Sequence, residues 1–253
     1  MLRYNLHNHT QWSDGAHDLR LLHEAAMNAG LTHLGVSDHF ASTKLPPERC
    51  IALARVATYL DEVRRFSRSH PRPLRILVGL EINFSLVQTD LSFLSRLDPD
   101  DNPLNKADYL LFEYVNDAEG FGLGLEELLK IRPLFSVPVG LAHPDLDKNF
   151  SGAVAPATLA RLLALSDIFL ELCPTRRNSR EAGDGDAFLP YYRVESEFMK
   201  GFWDAARREK LTVSIGCDTH DDLSDIGAVD DAARFVDERG LEANALIHRW
   251  SAR

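Results

Sequence analysis

The sequence is short of cysteine, long apolar runs and positive charge, and each shortage excludes something. Cys50, Cys173 and Cys217 are odd in number, widely spaced and free of any CxxC pair. That predicts neither a disulfide framework nor a thiolate zinc site, and it fits a reducing, cytoplasmic compartment. Nowhere do about 18 apolar residues run together as a spanning helix needs, and MLRYNLHNHT has no apolar core behind a basic start, so neither a signal peptide nor a membrane anchor is predicted. The formal charge is -10, from 38 acidic and 28 basic residues, which argues against long nucleic acids as substrates and leaves only short ends. No GxGxxG follows a strand and no P-loop is present. Repeats and low-complexity tracts are also missing, and residues 1–253 are expected to form one domain.

What is there is an ordinary globular composition, with 45% hydrophobic and 26% charged residues in a chain long enough to bury a large core. Short apolar segments alternate with amphipathic helical ones. Seven segments read as strands: RYNLHNH, LTHLGVSDH, LRILVGLEINF, ADYLLFEYV, PVGLAHP, DIFLELC and LTVSIGCDTH. Between them, helical spacing predicts helices in LRLLHEAAMNAG, PERCIALARVATYLDEVRRFSRSH, LEELLKIRPLF, PATLARLLALS and VESEFMKGFWDAARREK. One more helix, or a pair, follows the last strand in DDAARFVDERGLEANALIHRW. Such alternation implies a parallel sheet, either a barrel or a doubly wound sheet.

The placement of polar residues favours the barrel. His7, His9, Asp38, His39, Glu81, Glu113, His143, Glu171, Asp218 and His220 all sit at or just past the C-terminal ends of predicted strands. Strand ends converge around one mouth in a barrel, whereas an open sheet spreads them along an edge. In HNH, residues i and i+2 of an extended segment point the same way, so His7 and His9 can reach one ion. Asp218 and His220 repeat that spacing in GCDTH. One such pair decides nothing, because a strand-end Asp or His often only hydrogen-bonds a loop. Five strand ends bearing imidazoles and carboxylates, without thiolates, point to a centre for Zn, Mn or Fe.

Taken in order, HNHTQWSDG, SDH, GLEIN, AHPD, LELCPTRRNSR and GCDTHDDLSDIG resemble the polymerase and histidinol phosphatase (PHP) superfamily of metal-dependent phosphoesterases, over most of the chain. The resemblance implies a distorted (β/α)7 TIM-like barrel whose site holds two or three divalent ions at the C-terminal ends of the strands. It implies one ion held by His7, His9 and Asp218, a second held by His143, with Glu81 bridging the two, and a third held by Asp14, His39 and His220. Two positions depart from the pattern. Val115 stands where a histidine ligand of the second ion is expected, and Glu113, one step deeper on the same face, is the alternative oxygen donor. Cys173 replaces a usual asparagine and is read as packing, not as a nucleophile.

The function implied is hydrolysis of a small soluble phosphomonoester such as histidinol phosphate or a nucleotide. Adjacent ions lower the pKa of water from 15.7 towards about 7, which supplies hydroxide without a protein nucleophile. Glu81, Asp38 and Asp218 are the expected catalytic residues, Asp38 either orienting an imidazole or assisting proton transfer. Arg176, Arg177 and Arg180 follow a strand end and are expected to grip phosphate, since guanidinium groups bind its oxygens in pairs. The segment EAGDGDAF, 181–188, reads as a loop beside the mouth. Two other readings stand: an amidohydrolase-type barrel, which has no use for His39 and His220, and a non-catalytic metal-binding barrel, which Val115 makes tenable. No oligomeric state is predicted.

Overall fold

The computed structural model describes residues 2–70, 73–117, 122–176, 189–243 and 247. Eight strands run β1 Tyr4–Asn5, β2 His33–Val36, β3 His39–Phe40, β4 Arg75–Asn83, β5 Tyr109–Glu113, β6 Val139–Leu141, β7 Ile168–Leu172 and β8 Val213–Ile215. All pair in parallel, in the order β1-β2-β4-β5-β6-β7-β8, with the short β3 extending the line of β2 against β4. At the two ends of this order, Leu6 N donates to Ile215 O at 2.8 Å and His9 N to Thr219 O at 2.9 Å. The result is a nearly closed barrel of seven parallel strands, as the strand count and the strand-end chemistry predict.

Helices α1 Leu19–Asn28, α2 Val56–Ser69, α3 Leu125–Ile131, α4 Leu146–Phe150, α5 Pro156–Leu165, α6 Glu197–Arg208 and α7 Asp230–Arg239 lie between and after the strands. Their ends follow local rules. Asp18 caps α1 by accepting from Leu21 N, and Gly30, at φ +69, supports the left-handed turn just beyond it. Ser196 caps α6 through Met199 N, and Gly240 closes α7 at φ +63. The helix expected from Pro47 starts only at Val56. Ile51 instead pairs with Phe40, and its carbonyl accepts from Ala41 N at 2.9 Å, so a strand contact displaces the first turns of the helix. Beyond α7, most of the expected second helix lies outside the described residues. No helix among the described residues is long and apolar enough to cross a membrane.

The barrel floor is apolar and tightly filled. The Tyr109 hydroxyl on β5 donates to Leu6 O beside β1, and a side chain at Gly35 or Gly79 would strike the Tyr109 ring or hydroxyl. With Leu77, Leu111 and Phe169 buried on the strand faces that also carry Gly79, Tyr109 and Glu171, this layer seals the barrel below the polar rim.

Candidate metal centre

The predicted strand-end residues come together. His7 and His9 follow β1, His39 opens β3, Glu81 lies near the end of β4, Glu113 ends β5, His143 follows β6 and Asp218 follows β8. Of these, His7, His9, Glu81 and Asp218 have side chains no more than 1% exposed. Tyr114 (φ +65), His143 (φ +26) and Asp218 (φ +50) all occupy the left-handed region that non-glycine residues avoid. Backbone strain of this kind costs about 1–3 kcal/mol per residue, and here three strands carry it where they meet the mouth.

The donor atoms converge as ligands do. With metal–ligand bonds of about 2.1 Å, neighbouring donors stand about 3.0 Å apart at right angles and about 3.4 Å apart in a tetrahedron. His7 Nε2 lies 3.0 Å from His9 Nε2 and 3.3 Å from Glu81 Oε1. His9 Nε2 lies 3.1 Å from Asp218 Oδ1 and 3.4 Å from Glu81 Oε2. A second group sits beside the first, with Asp14 Oδ2 3.4 Å from His39 Nε2 and Asp14 Oδ1 3.3 Å from His220 Nε2 and 3.5 Å from His9 Nδ1. Among the described residues, His7/His9/Glu81/Asp218, His9/Asp14/His39/His220 and His39/Glu81/Glu113 each bring their donors within 4.8 Å of one another. Glu81 Oε1 and His39 Nδ1 are buried without a hydrogen-bond partner. Orphaned donors in a knot of carboxylates and imidazoles fit divalent cations.

Neighbouring groups set the tautomers. Glu171 on β7 faces His7 Nδ1 with both oxygens, at 2.9 and 3.1 Å, so the proton sits on Nδ1 and the Nε2 lone pair faces the cluster. The carbonyl of Asp218 accepts from His220 Nδ1 at 2.9 Å, which frees His220 Nε2 in the same way. Glu171 also accepts from His143 N at 2.8 Å, tying two strand ends together. Sequence reasoning placed Glu171 on the rim but gave it no task, because its partner lies 164 residues away. Asp38 reaches the His9 imidazole through Ser13, whose Oγ lies 3.4 Å from His9 Nδ1. It accepts from Thr10 N (2.7 Å), Thr10 Oγ1 (2.8 Å) and Ser13 Oγ (2.6 Å), so it holds the turn after His9 and touches no imidazole directly.

Burial works against every charge in the centre, but opposite charges outweigh it at several positions. Against the cost of burial, Glu171, Glu81 and Asp218 raise the His7 pKa well above its usual value, and Glu81 and Asp14 push His39 up to about 9. His7, His39 and their neighbours hold Glu81 well below the usual carboxylate range although burial alone would raise it. Burial dominates at His9 and lowers its pKa, with His39 and His220 adding to the fall. Cations would therefore displace protons from His7 and His39 on binding.

The PHP domain family matches residues 5–231, nine-tenths of the chain. The chain belongs to this family. No curated protein sequence matches it. Among solved structures, the PHP barrel is similar to histidinol phosphate phosphatase from Lactococcus lactis, complexed with zinc, L-histidinol and phosphate, at 16% identity, with 95% of each chain covered and a TM-score of 0.60. It is also similar to a protein from Listeria monocytogenes named as a candidate histidinol phosphatase, at 14% identity over 89% of this chain and 97% of that one, with a TM-score of 0.54.

Beside the PHP metal cluster opens a cavity of about 300 Å³, lined among others by Glu113, Tyr114, Val115, His143, Asp145 and Arg176. Arg176 spans cavity and cluster, its Nε and Nη2 both bonded to Asp218 Oδ2. Arg177, Arg180 and the loop 181–188 lie outside the described residues. Cys173 is buried, with its thiol pKa raised by that burial, as befits packing.

Proposed function

We propose that this PHP domain is a metal-dependent phosphomonoesterase acting on a small soluble phosphate ester, with histidinol phosphate as the first candidate substrate. The observation that carries the reading is the convergence of His7, His9, Glu81 and Asp218, four buried residues whose donors lie within 4.8 Å of one another, with the two imidazoles 3.0–3.5 Å from each other and from the carboxylates. In this reading His7, His9, Glu81 and Asp218 hold one ion, and Asp14, His39 and His220, with His9 beside them, hold another. Bound Zn, Mn or Fe supplies electrophilic polarisation of the phosphoryl group and acidified water. Family membership and similarity to the Lactococcus enzyme support the chemistry and the histidinol substrate.

The protein groups divide the remaining work. Glu81 presents an oxygen to each side, with Oε1 towards His7 and Oε2 towards His9 and His39. Arg176 stands where a phosphate entering from the cavity meets Asp218, and its guanidinium can bind a phosphate oxygen. Arg177 and Arg180 are proposed to assist it. Asp38 positions the turn that carries His9 and Asp14. The cavity is sized for the alcohol half of a small substrate. The group around Asp14 favours a phosphoesterase over an amidohydrolase, which has no use for His39 and His220. Three unpaired cysteines accord with a cytoplasmic setting, and the pairing of first and last strands with a single domain over residues 1–253.

The test is phosphate release from histidinol phosphate, nucleoside monophosphates and an activated aryl phosphate, after chelation and return of Zn, Mn or Fe. Metal-dependent release that Glu81→Gln and His9→Ala abolish is the expected result. Metal-loaded protein that releases no phosphate from any of them would refute the proposal.

A further inference from the structure

The position that resemblance gives to a histidine holds Val115, which is 2% exposed and offers no donor. Strand β5 ends at Glu113, and Tyr114 turns into the left-handed region, so Glu113 is the last in-strand side chain of β5 at the mouth. Asn83 Nδ2 donates to Glu113 Oε2 at 2.7 Å, and Lys44 Nζ lies 3.9 Å from the same oxygen. Glu113 Oε1 instead lies 3.7 Å from His143 Nε2. That nitrogen is also 3.5 Å from Glu81 Oε1, the buried oxygen with no hydrogen-bond partner. Asp218 Oδ2, 3.6 Å from His143 Nε2, is taken up by Arg176. His143 Nε2 thus lies within 3.7 Å of an oxygen of each carboxylate, and donors of Glu81 and Glu113 also converge with His39 to within 4.8 Å.

We propose that Glu113 replaces the missing histidine as a ligand of a further divalent ion, shared with Glu81 and His143, and that this position takes a harder ion than the other two. The proposal rests on the metal-centre reading above and adds to it the ligand and the ion. The first group has two imidazoles and two carboxylates, and the second has three imidazoles and one carboxylate. This one has two carboxylates and one imidazole. Oxygen-rich sites favour manganese or magnesium, and imidazole-rich ones favour zinc. The exchange of histidine for Glu113 therefore points to a mixed-metal centre.

The test counts metal instead of turnover. Chelated protein is reloaded in manganese with limiting zinc and desalted, and its metals are measured together with the electron paramagnetic resonance of bound Mn(II). The expected result is three ions per chain, one of them manganese. Glu113→Gln should bind two ions and lose the manganese signal. Val115→His in the Glu113→Gln background should regain a third ion, now zinc, because a second imidazole is restored. Two ions in the unaltered protein, three in Glu113→Gln, or manganese retained in the double variant would each overturn the proposal. Protein that binds no ion at all would overturn the metal-centre reading along with it.

Discussion

Replacing Glu171 by glutamine swaps one carboxylate oxygen for an NH2 where only acceptors fit. Glu171 is 2% exposed and accepts from His7 Nδ1 at 2.9 Å and from the backbone N–H of His143 at 2.8 Å. Both donors meet Oε2, so a glutamine that keeps its oxygen there turns a buried NH2 towards the His7 Nδ1–H, which lies 3.1 Å from Oε1, and neither of these donors finds an acceptor in the other. A buried donor left unsatisfied costs about 1–3 kcal/mol. At about 2–4 °C per kcal/mol for a chain of this size, the metal-free variant should melt about 2–12 °C below the parent. Loss of the charge also frees His7 to rotate or change tautomer, and such partners of metal-binding histidines are worth about 10–100-fold in metal affinity, or about 1.4–2.7 kcal/mol. Thermal unfolding read by circular dichroism gives the first number, and competition with a chelator of known affinity gives the second. A variant that melts within 1 °C of the parent and binds metal within about threefold of it would show that Glu171 does not orient the centre.

Gly216→Ala should damage the same place by crowding, because the new Cβ would strike the Glu171 carboxylate and the His7 Cβ; about 1–3 kcal/mol of urea stability and metal content should fall together. Arg176→Ala should keep its metal content while KM for the phosphate ester rises about 10–100-fold, the worth of one or two lost charged hydrogen bonds; loss of metal would instead make Arg176 a prop for Asp218. Asp231, on α7, accepts from Tyr192 Oη (2.6 Å) and Arg193 (2.7 and 2.8 Å), and although burial opposes its charge these bonds lower its pKa. Its stabilising share is complete above the unfolded carboxyl value of about 3.9 and is lost as pH falls through the lower folded value. Urea midpoints for Asp231→Asn should therefore lie below the parent at pH 7 and merge with it in strong acid, and a gap that persists there would refute the assignment.

The part of the structure readable in the sequence is the part governed by periods of two and of about 3.6. His7 with His9 and Asp218 with His220 were visible because alternate residues share a face, and Glu81 and His143 because each ends an apolar run. The start of α2 was not visible. Residues 47–55 have helical spacing, and only the pairing of Ile51 with Phe40, a partner from another part of the chain, keeps them out of the helix. Asp38 was legible as a rim carboxylate, but its direction depends on Thr10 and Ser13 folding over it. Glu171 likewise takes its role from His7, far away in the chain, and no local pattern encodes that distance.

The hydrogen bonds from Leu6 to Ile215 and from His9 to Thr219 also bear on how the protein is made. His7 and His9 emerge first during synthesis, but Asp218 and His220 come more than 200 residues later. A nascent chain that ends before β8 therefore owns most of the ligands and has no complete pocket for an ion. Contacts of such long sequence separation form slowly, so metal capture belongs to the last stage of folding. A ribosome stalled before Val213 would hold an open, metal-free sheet with its first edge exposed, the form most prone to aggregate.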